Sequence, residues 1–456
     1  MSDTIAAIAT GRMRTALGVL RLSGPEAVRI AEETFRPAGG GRLTDRPPHR
    51  LALGDALDEA GNLLDEVLCT YALAPRSFTG EDTAEFHCHG SPAALNEILR
   101  SLLRRGARLA GPGEFSRRAF LNGKLDLTEA EAIMDLIDSE TPLAARNAAM
   151  QLHGAVTEKT EAVYSLLLEL LAHFQAVVDY PEEGVEPLEA EEMAQSLSAA
   201  EHRLERLTRS FERRNLLKEG VPCAILGKPN VGKSSLLNAL LGEARAIVTE
   251  EAGTTRDTLE EKLTVKGLLL RLTDTAGLRD TASAAEAEGV RRAEAAAGSA
   301  GLVLAVFDAS RPLTPEDRRV MDAAGAAPMA VALLNKADLP RRLDAAALEG
   351  RFRTVLSLSA KTGEGLEELE ETIARLLDPE EELPAGEILT SERQYDAILR
   401  ARKAIGRAAL ALKEGFTPDA VLTDAEEALS ALGELSGRTV REDVVEAVFS
   451  RFCVGK

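Results

Sequence analysis

The order of apolar and polar positions divides the 456-residue chain into three kinds of stretch. Near the start, the short apolar runs Thr4–Thr10 and Leu17–Leu22 predict strands. Thr83–His89 alternates apolar with polar residues as a half-buried strand does, because successive strand side chains face opposite ways. Pro25–Phe35 and Pro92–Arg105 carry helical spacing. From about residue 115 to 215, leucines and alanines recur every three or four positions, which predicts a helical region broken at Tyr180–Pro187. The pattern changes at Glu219-Gly220. Continuous apolar runs, Val221–Leu226, Leu268–Asp274 and Met329–Leu334, then read as buried strands that alternate with helices such as Ser235–Leu241 until about Leu377. Asp378–Gly386 is an acidic, proline-bounded linker, after which helical periodicity returns.

These transitions predict a multidomain protein with α/β and all-α parts. The expected divisions are an N-terminal α+β domain at 1–118, a first helical half at 119–217, an inserted α/β domain at 218–378 and a second helical half at 379–456. The two halves are expected to pack together, because neither alone is long enough to bury much apolar surface.

Composition narrows the functions available. Aromatic residues make up 4% and tryptophan is absent, which argues against stacking platforms for single-stranded nucleic acid. A net charge of −20 and a pI near 5.0 argue against indiscriminate nucleic-acid binding. One local exception runs from Arg100 to Lys124, with seven basic residues against a single acidic one, Glu114. Such a run is either a solvated helix face or a contact for a polyanion. The four cysteines, Cys69, Cys88, Cys223 and Cys453, lie far apart with no C-x-x-C pair, which predicts a reducing compartment. His87-Cys88-His89 has metal-binding residue types. On a strand only His87 and His89 share a face, and no second ligand cluster is visible. With no signal-peptide pattern and no apolar run near ~18 residues, a cytoplasmic protein without a membrane span is expected.

Gly227-Lys-Pro-Asn-Val-Gly-Lys-Ser234 fits the phosphate-cradling P-loop, between a predicted strand and a predicted helix. Asn230, Val231 and Gly232 belong to the loop. Lys233 supplies charge to the β- and γ-phosphates, the Ser234 hydroxyl can ligate Mg²⁺, and Ser235 opens the helix. Three further elements follow in order. Gly253-Thr-Thr-Arg-Asp257 offers a threonine hydroxyl to the second Mg²⁺ position. Asp274-Thr275-Ala276-Gly277 closes a predicted strand where a carboxylate reaches the Mg²⁺ shell and a Gly277 N–H meets the γ-phosphate. Asn335-Lys336-Ala-Asp338 follows another strand, and Asp338 can accept from the paired nitrogen donors that guanine presents and adenine lacks. Ser359-Ala360-Lys361 completes the base pocket. Leu278 stands where many GTPases carry a water-orienting Gln, so Asp280, Glu286 and Glu288 are the candidates for that task. The Asn230 amide either coordinates a monovalent cation beside the phosphates or stabilises the loop.

With these residues in view, the chain closely resembles the MnmE (TrmE) family of tRNA-modifying GTPases over essentially its full length. Beyond the motifs above, the resemblance rests on Gly18–Gly24, Ser77–Asp82, Pro112–Ser116, Arg118–Leu127 and Phe452–Lys456. It implies a folate-binding and dimerising N-terminal domain, a helical domain split in sequence, and an inserted Ras-like P-loop GTPase domain. It also implies K⁺- and Mg²⁺-dependent GTP hydrolysis by a homodimer. With the flavoprotein MnmG (GidA), which carries FAD, the family forms a heterotetramer-type complex that modifies C5 of the tRNA wobble uridine. A tetrahydrofolate derivative, 5-formyl- or 5,10-methylene-tetrahydrofolate, provides the one-carbon unit. By position, Ser234 and Thr255 match Mg²⁺ ligands. Asn230, Thr249, Glu251 and Thr254 match the K⁺ site, and Glu286 matches the water-activating glutamate. Arg21, Glu85, Lys124 and Lys456 match folate contacts, and Cys453 matches a thiol near the substrate region. As a prenylation box the Cys453 tail is poor, since it lacks the second aliphatic position and ends in Lys456. Gly11–Leu17 departs from the Pro/Gly-rich loop of relatives. A different class, a regulatory GTPase switch such as one in ribosome assembly, would need neither the Arg21/Glu85/Lys124 set nor the terminal thiol.

Overall fold

The computed structural model describes residues 3–11, 13–179, 190–243, 261–272, 298, 300–377, 386–415, 418–439 and 442–455. The chain forms two compact units. One takes in 1–134, 151–205 and 391–456, the other 135–150 and 206–390.

The first unit is built on strands β1 (Ile5–Ile8), β2 (Leu17–Ser23), β3 (Phe35–Pro37), β4 (Ala52–Leu57), β5 (Leu63–Ala72), β6 (Thr83–His89) and β7 (Arg108–Leu109). They form one sheet in the order β3-β4-β5-β6-β2-β1-β7. Every neighbouring pair is antiparallel except β1 with β7. The predicted alternation holds. In β6, Ala84, Phe86 and Cys88 are buried while Glu85 and His87 are half-buried and His89 is exposed. In β2, Leu20 and Leu22 go inward and Arg21 outward. The helices Ala27–Thr34 and Pro92–Arg104 cover the buried face, adding Ile30, Ala31, Leu95, Ile98 and Leu102 to one core with Leu20, Leu22 and Phe86. Ser91 caps the second helix and Pro92 opens it, as those residue types favour. Gly18 lets that helix lie on the sheet, because a Cβ there would stand 2.5 Å from Leu95 Cδ1.

The helical stretch has more breaks than its periodicity suggested. Helices run Glu114–Leu121, Leu127–Ile137, Pro142–Leu152, Ala155–Asp179 and Ala190–Ser210. The chain turns at Gly123 (φ +66°) and Gly154 (φ +82°), left-handed positions that glycine takes without a Cβ clash. Isolated glycines in an otherwise periodic pattern concealed these turns. The predicted break at 180–187 lies outside the described residues. After residue 390 come helices Glu392–Lys413, Pro418–Ser436 and Glu442–Phe449. The tail beyond them returns to the sheet. Gly113 N–H donates to Cys453 O (3.3 Å), and Val454 bridges Pro112. Val454 packs on Ile5, Ala7, Ala110 and Phe115, while Phe452 joins Phe449, Leu127 and Phe120.

The second unit holds β8 (Val221–Leu226), β9 (Glu261–Val265), β10 (Leu268–Leu272), β11 (Leu302–Asp308), β12 (Met329–Asn335) and β13 (Thr354–Ser357). Their order is β13-β12-β11-β8-β10-β9, parallel throughout except for the β9–β10 hairpin. This is the Ras-like arrangement. All seven residues of β11 are buried, and separate apolar cores cover the two faces, as a parallel sheet requires. The helix after the P-loop spans Lys233–Glu243, longer at both ends than the apolar run Ser235–Leu241 suggested. Among the described residues, no helix is long and apolar enough to cross a membrane.

At the root of this unit, one buried amide ties the returning chain. Asn147 Nδ2 donates to Ile388 O (3.0 Å), and its Oδ1 accepts from Gly386 N (2.8 Å) and Ile388 N (3.3 Å). Ser210 Oγ accepts from Leu389 N (3.1 Å), and Lys218 pairs with Asp135 (2.6 Å). A buried donor or acceptor left without a partner costs ~1–3 kcal/mol. Asn147→Leu is therefore expected to destabilise the second unit by about 3 kcal/mol in denaturant unfolding, with faster amide exchange at Gly386 and Ile388. Unchanged exchange at both amides would rule out this role.

Candidate functional site

The P-loop leaves β8 at Leu226 and enters the helix at Lys233. Asn230 takes φ +66° and Gly232 φ +100°, which turns the loop back over the helix start. Lys233 Nζ lies inside this turn and donates to Gly227 O (2.7 Å) and Lys228 O (2.9 Å). Burial holds its pKa below the ordinary lysine value. An incoming phosphate can compete for that ammonium. Ser234 and Ser235 are exposed at the first helical turn, where backbone N–H groups and the helix dipole favour an anion. Lys228 is turned away from this region. Its Nζ donates to Asp317 Oδ2 (2.6 Å) and Thr314 Oγ1 (3.1 Å), the capping pair of helix Pro315–Ala324.

Three loops meet at the ends of β8, β12 and β13. Asn335, 2% exposed, joins all three: its Nδ2 donates to Val231 O (2.8 Å), and its Oδ1 accepts from Ala360 N (3.0 Å). A Cβ on Gly232 would lie 2.2 Å from that Nδ2, so the second P-loop glycine is required by the Asn335 amide. Lys336 (φ +68°) reaches across to Asn230 O (2.8 Å) and Asp308 Oδ2 (2.6 Å). Burial alone would raise Asp308; its bonds with Lys336 and Ser310 offset this and hold the carboxyl below its usual range. Asp338 is exposed, with Oδ1 accepting from Ser359 Oγ (2.7 Å), and Lys361 is exposed as well. This bond fixes one carboxylate oxygen of Asp338 and leaves the other without a protein partner. The structure thus brings together Asn230, Val231, Gly232, Lys233, Asn335, Lys336, Asp338, Ser359 and Ala360. Thr249, Glu251, Thr254, Thr255, Asp274, Thr275, Ala276, Gly277, Leu278, Asp280, Glu286 and Glu288 lie outside the described residues, as does Lys456. Sequence reasoning missed Asp308 and the Thr314/Asp317 pair. The apolar run ending in Asp308 and the Thr-Pro-Glu-Asp cap were the available signals.

A second site opens on the polar face of the first unit's sheet. The register sets Thr70, Glu85 and Arg21 side by side across β5, β6 and β2. They border a cavity of about 300 Å³ that His49, Phe78 and His87 also line. Arg21 Nε donates to Glu85 Oε1 (2.7 Å), and its guanidinium lies over the rings of Phe78 (5.3 Å) and Phe115 (5.8 Å). Glu85 Oε2 is 3.5 Å from His87 Nε2. Arg21, which the resemblance gives as a folate contact, is therefore already engaged by Glu85. Lys124 does not line the cavity; its Nζ donates to Pro75 O (3.2 Å), two residues before Ser77. Cys453 is exposed, and its backbone holds the tail beside Gly113. Cys88 is buried on the opposite face from His87, with its thiol pushed up to about 12 by burial and then by Asp65, which suits core packing.

The basic run 100–124 is largely neutralised within the chain. Arg108 pairs with Asp3 and Glu114; Arg118 pairs with Asp3, Glu81 and Glu114; Arg100 and Arg104 pair with Glu97 and Glu59. Arg118 is 9% exposed, so it anchors the Ser77–Asp82 loop from inside the fold.

Comparison with known proteins agrees with this layout. The family description "GTP-binding protein TrmE N-terminus" matches residues 4–124, and "MnmE helical domain" matches residues 127–453. The chain is 41% identical over 458 residues to the tRNA modification GTPase MnmE of Thermoanaerobacter pseudethanolicus, covering 100% of this chain and 99% of the relative. It is 39% identical over 461 residues to that of Alkaliphilus metalliredigens and 38% identical over 459 residues to that of Clostridioides difficile, with both chains covered in full each time. A similarity of this extent bears out the resemblance read from the motifs, and the chain belongs to the MnmE family of tRNA modification GTPases.

Proposed function

We propose that this chain is a cytoplasmic GTP hydrolase that works in modification of the tRNA wobble uridine, drawing a one-carbon unit from a tetrahydrofolate derivative and acting with the flavoprotein MnmG. The observation that carries the reading is full-length similarity to tRNA modification GTPases in a chain that holds a P-loop and an N-K-x-D element in one assembly. The folate part is supported by a ligand-sized cavity with a carboxylate, a guanidinium and an aromatic ring on its wall.

The residues fit the ions the reading needs. Asn230 is exposed at the tip of the P-loop, and its amide offers the hard oxygen that K⁺ takes; its own backbone oxygen is used by Lys336. Ser234, at the helix start, offers a hydroxyl to Mg²⁺, and Thr255 supplies a second. Glu251, Thr249 and Thr254 complete the proposed K⁺ set. Bound ions would supply the positive charge on the β–γ bridge that an arginine finger supplies elsewhere. The chain's own residues do the rest. Lys233 exchanges its loop carbonyls for phosphate oxygens. Asp338 reads the base. Glu286 orients the attacking water, a task Leu278 cannot perform. Pairing of nucleotide domains in a homodimer would couple hydrolysis to movement of the remaining domains, with Cys453 near the substrate.

Two measurements test the reading. GTPase rates should be at least about tenfold higher in K⁺ than in Na⁺, and Asn230→Ala should remove the preference while changing nucleotide affinity little; equal wild-type rates in the two salts would sink the K⁺ assignment. Glu85→Gln is expected to weaken 5-formyl-tetrahydrofolate binding about tenfold with unaltered GTP hydrolysis. If the wild-type protein binds no folate and tRNA from cells lacking it keeps its wobble modification, a purely regulatory switch is the better reading.

A further inference from the structure

Two lysine–aspartate pairs hold the P-loop turn at Asn230 from outside. Lys336 bonds Asn230 O and Asp308 Oδ2. Lys228, at an unspecified position of the G-x-x-x-x-G-K-[ST] pattern, bonds Asp317 Oδ2 (2.6 Å) and Thr314 Oγ1 (3.1 Å). The two aspartates come from the end of β11 and the first turn of helix Pro315–Ala324. Between the two anchored points stands Pro229, which has no N–H with which to tie the loop itself.

The Lys228 pair is enclosed. The side chains of Lys228 and Asp317 are 12% and 3% exposed, and parting a buried pair leaves each charge uncompensated. Asp317 Oδ2 also accepts from Thr314 N (2.8 Å) and Thr314 Oγ1 (2.7 Å), the capping box that fixes the helix start. Its Oδ1 is buried with no hydrogen-bond partner, and among the described residues Lys228 is the cation that balances it. The anchor therefore belongs to the helix, while the loop it holds is strained. Asn230 sits at φ +66°, a left-handed position that a residue other than glycine keeps where its surroundings over-determine it. Lys233 also ties the loop, through Gly227 O and Lys228 O, but those bonds end when its ammonium turns to a phosphate. The Lys228 ammonium, bonded to the helix cap, has no such exchange to make. We propose that Lys228 is a positioning residue for GTP hydrolysis: bound to Asp317 and Thr314, it keeps the P-loop turn in its phosphate-receiving form while Lys233 changes partners. The inference rests on the GTPase activity of the family and not on the ion or folate assignments.

The test is steady-state GTP hydrolysis by the full-length protein, with kcat and KM determined separately and thermal unfolding followed in parallel. Lys228→Met/Asp317→Asn removes the tether and leaves no buried charge unpaired. Loss of a preorganised loop should raise KM about tenfold and leave kcat within about twofold. A role in stability alone would remove active molecules, lowering the apparent kcat at unchanged KM. Lys228→Arg keeps a cation with several donors and should hold KM within about twofold of the wild type. An unchanged KM in the double variant overturns the inference, and so does a KM in Lys228→Arg raised as far as in the double variant. If the double variant does not fold, Lys228→Gln decides: its neutral amide is a weaker donor to a carboxylate, so KM should rise at least about threefold, and an unchanged value overturns the role.

Discussion

The amide of Asn335 is the contact on which the nucleotide end of the second unit depends. Three strands deliver three loops to one place, and loops at strand ends have few backbone partners of their own. Asn335 has a donor and an acceptor on a short side chain, and it uses one on Val231 O and the other on Ala360 N. Buried at 2% exposure, it has no water to fall back on, so each bond is effectively obligatory. The requirement extends to Gly232, where any side chain would collide with the amide. Lys336, the next residue, repeats the logic with charge, joining the P-loop to the end of β11 through Asp308. Two neighbouring residues of the N-K-x-D element thus serve the P-loop, while Asp338 is exposed and accepts from Ser359 Oγ.

The first unit solves a different problem with one sheet. Strand alternation gives it an apolar face, which two helices cover, and a polar face, which holds a rung of Thr70, Glu85 and Arg21. The rung is positioned by backbone register, so its geometry is as rigid as the sheet. The loop Ser77–Asp82 closes one side of the cavity and is itself held by buried polar contacts: Ser23 Oγ with Glu81 (2.8 Å), and Glu81 with Arg118 (2.9 Å). The sequence motifs that carry the family resemblance in this unit are therefore mostly the supports of the cavity wall.

How much of this was legible in the sequence follows from the range of each signal. Strand alternation is local, so the opposed faces of Glu85 and Cys88 could be read directly. The P-loop and N-K-x-D elements are local too, and were found at the strand ends where they belong. Pairings over long separations were not legible. Nothing near Arg118 indicates that its guanidinium will be buried against Asp3 and Glu81, and nothing in the run shows that Arg100, Arg104 and Arg108, though exposed, are paired with carboxylates. Arg21 looked available for a ligand because Glu85, 64 positions away, carries no mark of being its partner. The role of Asn147 was hidden in the same way, since an asparagine in a helical pattern reads as a surface position. The glycine turns at 123 and 154 were missed because one glycine rarely outweighs a periodic pattern.

The return of the tail to the first unit's sheet has a consequence for synthesis. Val454 covers Ile5, Ala7 and Phe115, and Gly113 has its backbone partner in Cys453. A ribosome makes strands β1–β7 long before the segment that seals them. The second unit, whose residues end near 390, has all its parts several tens of residues earlier. Order of emergence and order of completion are therefore opposed: the region translated first waits, with one apolar edge uncovered, until residues 452–455 leave the exit tunnel.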